Sequence, residues 1–237
     1  MKSSTKICLW VSVAILLVAG AQAQQPAKAS SSGDLERVLD QMDVAAAKFR
    51  TTQASFVWDQ YQRVIDETDT QKGRIYFRRS GDSIDMAADV GEPDAKYVVV
   101  ADGKIQLYQP RIDQVTVYSA GKNKEEFESF LVLGFGGGGH QLLNSFDVKY
   151  LGPETLDGVK TEKLDLVPKS QKIRNTFSHI VLWIDPARGI SVQQKLFDPS
   201  GDYRLAKYSD IQVNQRLPDG VFKIKTTGKT KILSPQG

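Results

Sequence analysis

From residue 53 onward the chain breaks into short runs in which apolar and polar residues alternate, each ended by turn-forming residues. Phe56 and Trp58 alternate with Val57 and Asp59; Ile75, Phe77 and Arg79 alternate with Tyr76 and Arg78. A period of two sends successive side chains to opposite faces, so each run reads as a strand that buries one face. Ala101-Asp102-Gly103, Asp185-Pro186-Ala187-Arg188-Gly189 and Asp198-Pro199-Ser200-Gly201 supply turn chemistry at hairpin spacing. Residues 66–73 are polar and read as a turn, and 221–225 read as a last strand. About eleven such strands are expected, and short strands at hairpin spacing describe an antiparallel meander.

Two stretches break the period. Before the meander, Leu35, Val38, Leu39, Met42, Ala45, Ala46 and Phe49 recur at spacings of three and four, which predicts a helix over 34–50. Within it, residues 124–133 place Phe127, Phe130, Leu131 and Leu133 at helical spacing. Gly134-Phe135-Gly136-Gly137-Gly138-Gly139 follows, then His140, Gln141, Leu142 and Leu143. A solvated loop would not carry so many apolar residues together, so this insert reads as a helical lid on a glycine hinge. One mainly β domain over 34–237 is expected, a length at the upper limit of the usual range of about 100–200 residues per domain.

The amino terminus reads as a separate object. Lys2 and Lys6 precede an apolar run over 7–19, and Ala21-Gln22-Ala23 forms an A-x-A site, the pattern of a secretory signal peptide over 1–23. The run is shorter than the roughly 20 apolar residues of a spanning helix. Residues 24–33 are small and polar, a flexible leader. An exported protein is expected.

Composition excludes several chemistries. Cys8 is the only cysteine, so neither a disulfide framework nor a cysteine-based zinc site is available. Two histidines are too few for a multi-His metal centre, and a net charge of +3 without a basic block gives no nucleic-acid footprint. Gly139 is followed by His140, not the Lys-Ser/Thr of a phosphate loop, and no G-x-S-x-G elbow occurs. The carboxylate pairs Asp82/Asp85, Glu125/Glu126 and Asp66/Glu67/Asp69 read as solvated turn and capping residues, and His179 as a sheet-surface residue. No catalytic set, metal or cofactor is therefore expected, and an envelope lipid hydrolase is the least favoured reading. What remains is surplus apolar surface: Phe56, Trp58, Ile75, Phe77, Met86, Leu107, Val115, Val117, Ile180, Leu182 and Ile184 are expected to line one face of a curved sheet. With a lid, such a face is a device for binding a greasy ligand; without one, the same residues simply fill a core.

The run over 99–116, Val-Val-Ala-Asp-Gly-Lys-Ile-Gln-Leu-Tyr-Gln-Pro-Arg-Ile-Asp-Gln-Val-Thr, closely resembles the signature hairpin of the periplasmic outer-membrane lipoprotein carriers (the LolA type, in a LolA/LolB-like superfamily). Ala54-Ser55-Phe56 and 73–79 (Gly-Arg-Ile-Tyr-Phe-Arg-Arg) resemble that family's first two strands, and the likeness extends over about 34–225. It implies an incomplete, eleven-stranded β-barrel around an apolar cavity closed by helices. It implies a shuttle taking acylated lipoproteins from an inner-membrane ABC transporter to an outer-membrane acceptor, working as a monomer. The family's latch arginine, which bonds lid carbonyls in the closed state, falls on Arg79, followed here by Ser80 where the family has proline. A lipid-sensing regulatory module on the same fold is the alternative.

Overall fold

The computed structural model describes residues 32–81, 83–119 and 133–234. The expected signal peptide, most of the expected leader, Asp82, Glu125/Glu126, and Phe127, Phe130 and Leu131 of the expected lid lie outside the described residues. Among those described, no helix is long and apolar enough to cross a membrane.

Helix α1 (Ser32–Lys48) begins two residues before the expected start and turns Val38, Leu39 and Met42 inward, each at most 1% exposed. It ends where Asn214, at φ +57°, folds back on it. The Asn214 Nδ2 donates to the Lys48 carbonyl at 3.0 Å, and its Oδ1 accepts from the Arg50 and Thr51 amides. The side chain thus satisfies an orphaned carbonyl at the helix end.

Strands β1 (Thr51–Gln62), β2 (Glu67–Ser80), β3 (Ser83–Val90), β4 (Lys96–Ala101), β5 (Lys104–Gln109) and β6 (Gln114–Ser119) form the first meander. After α2 (Gly139–Ser145), β7 (Phe146–Leu156), β8 (Val159–Pro168), β9 (His179–Asp185), β10 (Ile190–Phe197) and β11 (Tyr203–Val213) form the second, with a short α3 (Gln171–Arg174) between β8 and β9. The meanders join where β1 pairs β11, giving one open sheet ordered β12-β6-β5-β4-β3-β2-β1-β11-β10-β9-β8-β7. The strands are antiparallel except β12 (Lys231–Leu233), which runs parallel to β6.

The described sheet therefore has twelve strands, not about eleven, and two expectations change. Residues 66–73 are not a turn: β2 starts at Glu67, and its polar arm pairs with β1, helped by Thr70 Oγ1 donating to Asp59 at 2.7 Å. Residues 221–225 are not a strand: Leu217, Val221, Phe222 and Ile224 lie against Tyr76, Ala87 and Val99 on the face opposite the helices. Tyr97 donates to the Val221 carbonyl at 2.6 Å, and the Arg78 guanidinium stacks on Phe222. Asp85 is not solvated: it is 3% exposed and takes two hydrogen bonds from Arg78, at 2.6 and 3.2 Å.

Candidate functional site

Strand register decides which apolar residues share the helix face. Phe77 pairs with Thr52 and Met86, Ile75 with Ala54 and Ala88, and Phe56 with Gly73 and Tyr208. Trp58 pairs with Ala206, Gln194 with both Ala206 and Leu182, and Leu107 with Val98 and Thr116. Facing pairs lie on one side of the sheet, so Phe56, Trp58, Ile75, Phe77, Met86, Leu107, Ile180, Leu182 and Ile184 share the face. Val115 and Val117 do not: they pair with Tyr108 and Gln106, one residue out of phase with Leu107, and point to the opposite side. That is a correction, since the opposite side of the neighbouring strands carries its own apolar cover in the carboxy-terminal tail.

The face has two halves. Over β7–β9, Ile180, Leu182 and Ile184 have no exposure and pack with Leu164, Leu166 and the α1 residues Val38, Leu39 and Met42. Leu133 and Leu142 are buried in the same cluster and Leu143 lies against it. This half is filled core. Arg37 of α1, bonded to Glu162 of β8 at 3.0 Å, pins the helix over it, and Tyr150 of β7 donates to the same carboxylate at 2.5 Å. Over β1–β5, Trp58, Ile75, Met86 and Leu107 are only half-buried, with Ile75 and Met86 packed against the Phe49, Phe77 and Phe135 cluster. This is the part of the face with apolar surface still available to a ligand.

Residues 133–136 sit at the boundary. Phe135 is 1% exposed, stacked on Phe77 with ring centroids 4.3 Å apart and edge-on to Tyr208 at 4.9 Å. Three carbonyls of the segment find separate donors. Leu133 O accepts from Gln194 Nε2 at 2.5 Å, Gly134 O from the Ser191 amide at 2.7 Å, and Gly136 O from Arg79 Nη2 at 2.9 Å. The Ser191 amide is available because β11 pairs with β10 only from Gln193 onward, and Phe135 bridges Ile190 on the stretch left open. The glycines here serve contact. Gly136, at φ +80°, lies so near Phe49 that a Cβ would be 2.4 Å from the ring, and one on Gly139 would be 2.3 Å from the Leu39 carbonyl oxygen.

Arg79 is the hub. Besides Gly136 O, it donates to Ala46 O and Phe49 O, each at 3.2 Å. Those carbonyls lie at the end of α1, where the helix dipole favours a cation; Ala46 O also takes the Phe49 amide and Phe49 O the Arg50 guanidinium. One guanidinium thus ties β2, the end of α1 and the glycine segment together. A second clasp joins α1 to α2: His140 Nδ1 bonds Asp43, its Nε2 bonds Glu36 at 2.9 Å, and its amide bonds Asp43 Oδ1 at 3.3 Å. The two carboxylates hold the imidazole well above its usual range, at about 9. Glu36, Asp40 and His140 bring ligand atoms within 4.8 Å of one another, but both imidazole nitrogens already have carboxylate partners. His179 lies on the opposite face, bonded to Asp165 at 2.8 Å and stacked on Phe197.

Sequence reasoning missed Gln194, Ser191 and Tyr208, whose partners lie in a remote segment. The carboxylates of the His140 clasp, Glu36 and Asp43, are about two α1 turns apart, and only the helix–helix packing brings the histidine to them.

No curated protein matches this sequence closely enough to be counted a relative. The fold is similar to that of MucB at 14% identity, over 86% of this chain and 66% of that one, with a TM-score of 0.53. It is also similar to an uncharacterised conserved protein from Thermus thermophilus at 12% identity, over 85% and 99% of the two chains, with a TM-score of 0.55. The chain spans just under two thirds of MucB, and at these identities the likeness is one of fold. The family model of the outer membrane lipoprotein carrier protein LolA matches residues 47–225, from the end of α1 to the tail beyond β11, and this chain belongs to that family.

Proposed function

We propose that the protein is a periplasmic carrier that binds the acyl chains of lipoproteins, or of a related lipid, and moves them from the inner to the outer membrane. It performs no bond-breaking in this reading. Its cargo would be loaded by an inner-membrane ABC transporter and passed to an outer-membrane acceptor. The observation that carries the reading is the seating of Phe135 on Phe77 under the hold of Arg79: an internal segment occupies the edge of a half-covered apolar face by contacts that an acyl chain can replace.

The energetics suit a shuttle. An acyl chain of about 16 carbons costs on the order of 10 kcal/mol to leave in water, at roughly 0.8 kcal/mol per CH₂. Full shelter alone would bind it too tightly to deliver. Displacing Phe135 forfeits about 1.5–3 kcal/mol of burial, and each lost hydrogen bond about 0.5–1.5 kcal/mol more. These losses are subtracted from the gain on binding and bring uptake and release closer to balance. The lid residues Gly134, Phe135, Gly136 and Gly137 are the proposed moving part, and Arg79 the latch that favours the closed form; Leu133, Leu142 and Leu143, expected in the lid, instead belong to the packed half of the face.

The test is transfer of a fluorescent acylated lipopeptide between donor and acceptor vesicles. The reading expects acceleration in proportion to protein concentration. Binding without transfer would instead make the protein a lipid-sensing module, and no binding at all would overturn both.

A further inference from the structure

A cavity of about 460 Å³ opens at the end of the helix face farthest from Arg79. Its floor continues the same register row: Gln60 of β1 faces Arg204 of β11, which faces Leu196 of β10. Its walls are Thr176 and Phe177, just after α3, and the β10–β11 turn through Asp202. The helix face therefore carries an arginine towards each end, separated along β1 by about ten residues or roughly 33 Å. Between them lie Ala54, Phe56 and Trp58 with Tyr208 and Ala206 opposite.

The two arginines differ in how they are used. Arg79 gives its donors to three carbonyls. Arg204 is exposed, has no carboxylate partner among the described residues, and has only the Phe177 ring, 5.7 Å from its guanidinium carbon. The acids of the adjoining turn are already engaged. Asp198 Oδ1 accepts from the Ser200 amide, the Ser200 hydroxyl and the Asp202 amide, and Asp202 Oδ1 accepts from the Arg63 amide at 2.8 Å. A planar guanidinium with its fork unspent, at the polar end of an apolar track, matches an oxyanion attached to a hydrocarbon chain.

We infer that this cavity is the headgroup end of the cargo site and that Arg204, with Gln60 beside it, takes a phosphate or carboxylate headgroup whose acyl chain runs towards Trp58 and Phe56. The inference rests on the carrier reading above and adds a preference for anionic amphiphiles over neutral ones.

The experiment measures binding of three fluorescent single-chain probes of equal chain length to the full chain: a lysophosphatidic acid, a fatty acid and a monoacylglycerol. Inorganic phosphate is the competitor. The expected result is that both anionic probes bind about 10- to 100-fold more tightly than the monoacylglycerol, as one charge-assisted contact gives. Arg204→Ala weakens the two anionic probes about 10- to 100-fold and the monoacylglycerol by much less, which removes the preference; Arg204→Lys keeps part of it, more so at low salt. Equal binding of all three probes, or equal weakening of all three by Arg204→Ala at unchanged melting temperature, overturns the headgroup assignment while the carrier reading stands. Displacement of the anionic probes by inorganic phosphate at probe concentration shows a free-phosphate site and also overturns it. Failure of every probe to bind overturns the carrier reading itself.

Discussion

The Arg79 guanidinium and the Gly136 carbonyl meet at 2.9 Å across 57 residues of sequence. The same guanidinium holds two carbonyls at the end of α1, so a change at this one side chain acts on three elements together. Arg79→Leu removes these donors, and stability is expected to fall by about 2 kcal/mol, the scale for hydrogen bonds from a charged group. Because the lost contacts belong to the closed form, acyl occupancy is expected to rise and release to slow. Equilibrium binding and stopped-flow release of a fluorescent fatty acid check this; unchanged values for both would remove Arg79 from the mechanism.

Phe135→Ala separates the two roles of the segment it belongs to. Loss of a fully buried phenylalanine from the stack on Phe77 is expected to cost about 3–5 kcal/mol in the ligand-free protein. If an acyl chain takes the vacated place, the ligand restores much of that loss. Thermal melts with and without an acyl probe should therefore show a larger ligand-induced rise for the variant than for the wild type. An equal rise in both would mean that Phe135 is core packing and nothing more.

Much of this architecture is legible in the sequence because period-two alternation survives wherever one face is buried. It identifies the strands and the shared face of Ile75, Phe77, Ile180 and Leu182. The signal fails where burial does. Residues 67–72 form the outer arm of a long hairpin with mostly exposed side chains, so a strand held by its ladder and by the Asp59–Thr70 bond reads as a turn. It fails again where both faces are covered: Val115 and Val117 alternate correctly, but alternation cannot say which side faces the helices. Val221 and Phe222 pack as a strand would without joining the ladder. Arg79 stands out in the sequence as a lone charge sharing a strand face with Ile75 and Phe77, but its partners come only from the resemblance, since its acceptors on residues 46, 49 and 136 meet it only in the folded chain.

Gly136→Ala tests whether the glycine stretch is built for contact as well as for movement. Its φ of +80° disfavours any side chain, and the added Cβ would lie 2.4 Å from the Phe49 ring. A loss on the order of 2 kcal/mol is expected from strain and clash together. Gly228→Ala, where nothing lies within 4 Å and φ is not positive, should change stability by less than about 0.5 kcal/mol. Urea unfolding of the two variants gives the comparison, and similar small losses in both would leave Gly136 with a purely flexible role.

The His140 clasp makes the docking of α2 on α1 sensitive to alkaline pH. Hydrogen bonds to Asp43 first and Glu36 second raise the imidazole pKa to about 9, against roughly 6.5 in the unfolded chain. A raised pKa means that the folded state binds the proton more tightly. The stabilisation is therefore complete below the unfolded value and is lost as pH rises through 6.5 to about 9. Above that range the neutral ring keeps at most one donor for its two carboxylates. Urea midpoints measured from about pH 6 to about pH 10 should fall more steeply for the wild type than for His140→Gln, which has no proton to lose there. The two curves should converge at the alkaline end, where the histidine has become neutral. Parallel curves across the whole range would show that the clasp stores no proton-linked stability and that α2 is held by Leu142 and Gly139 packing alone.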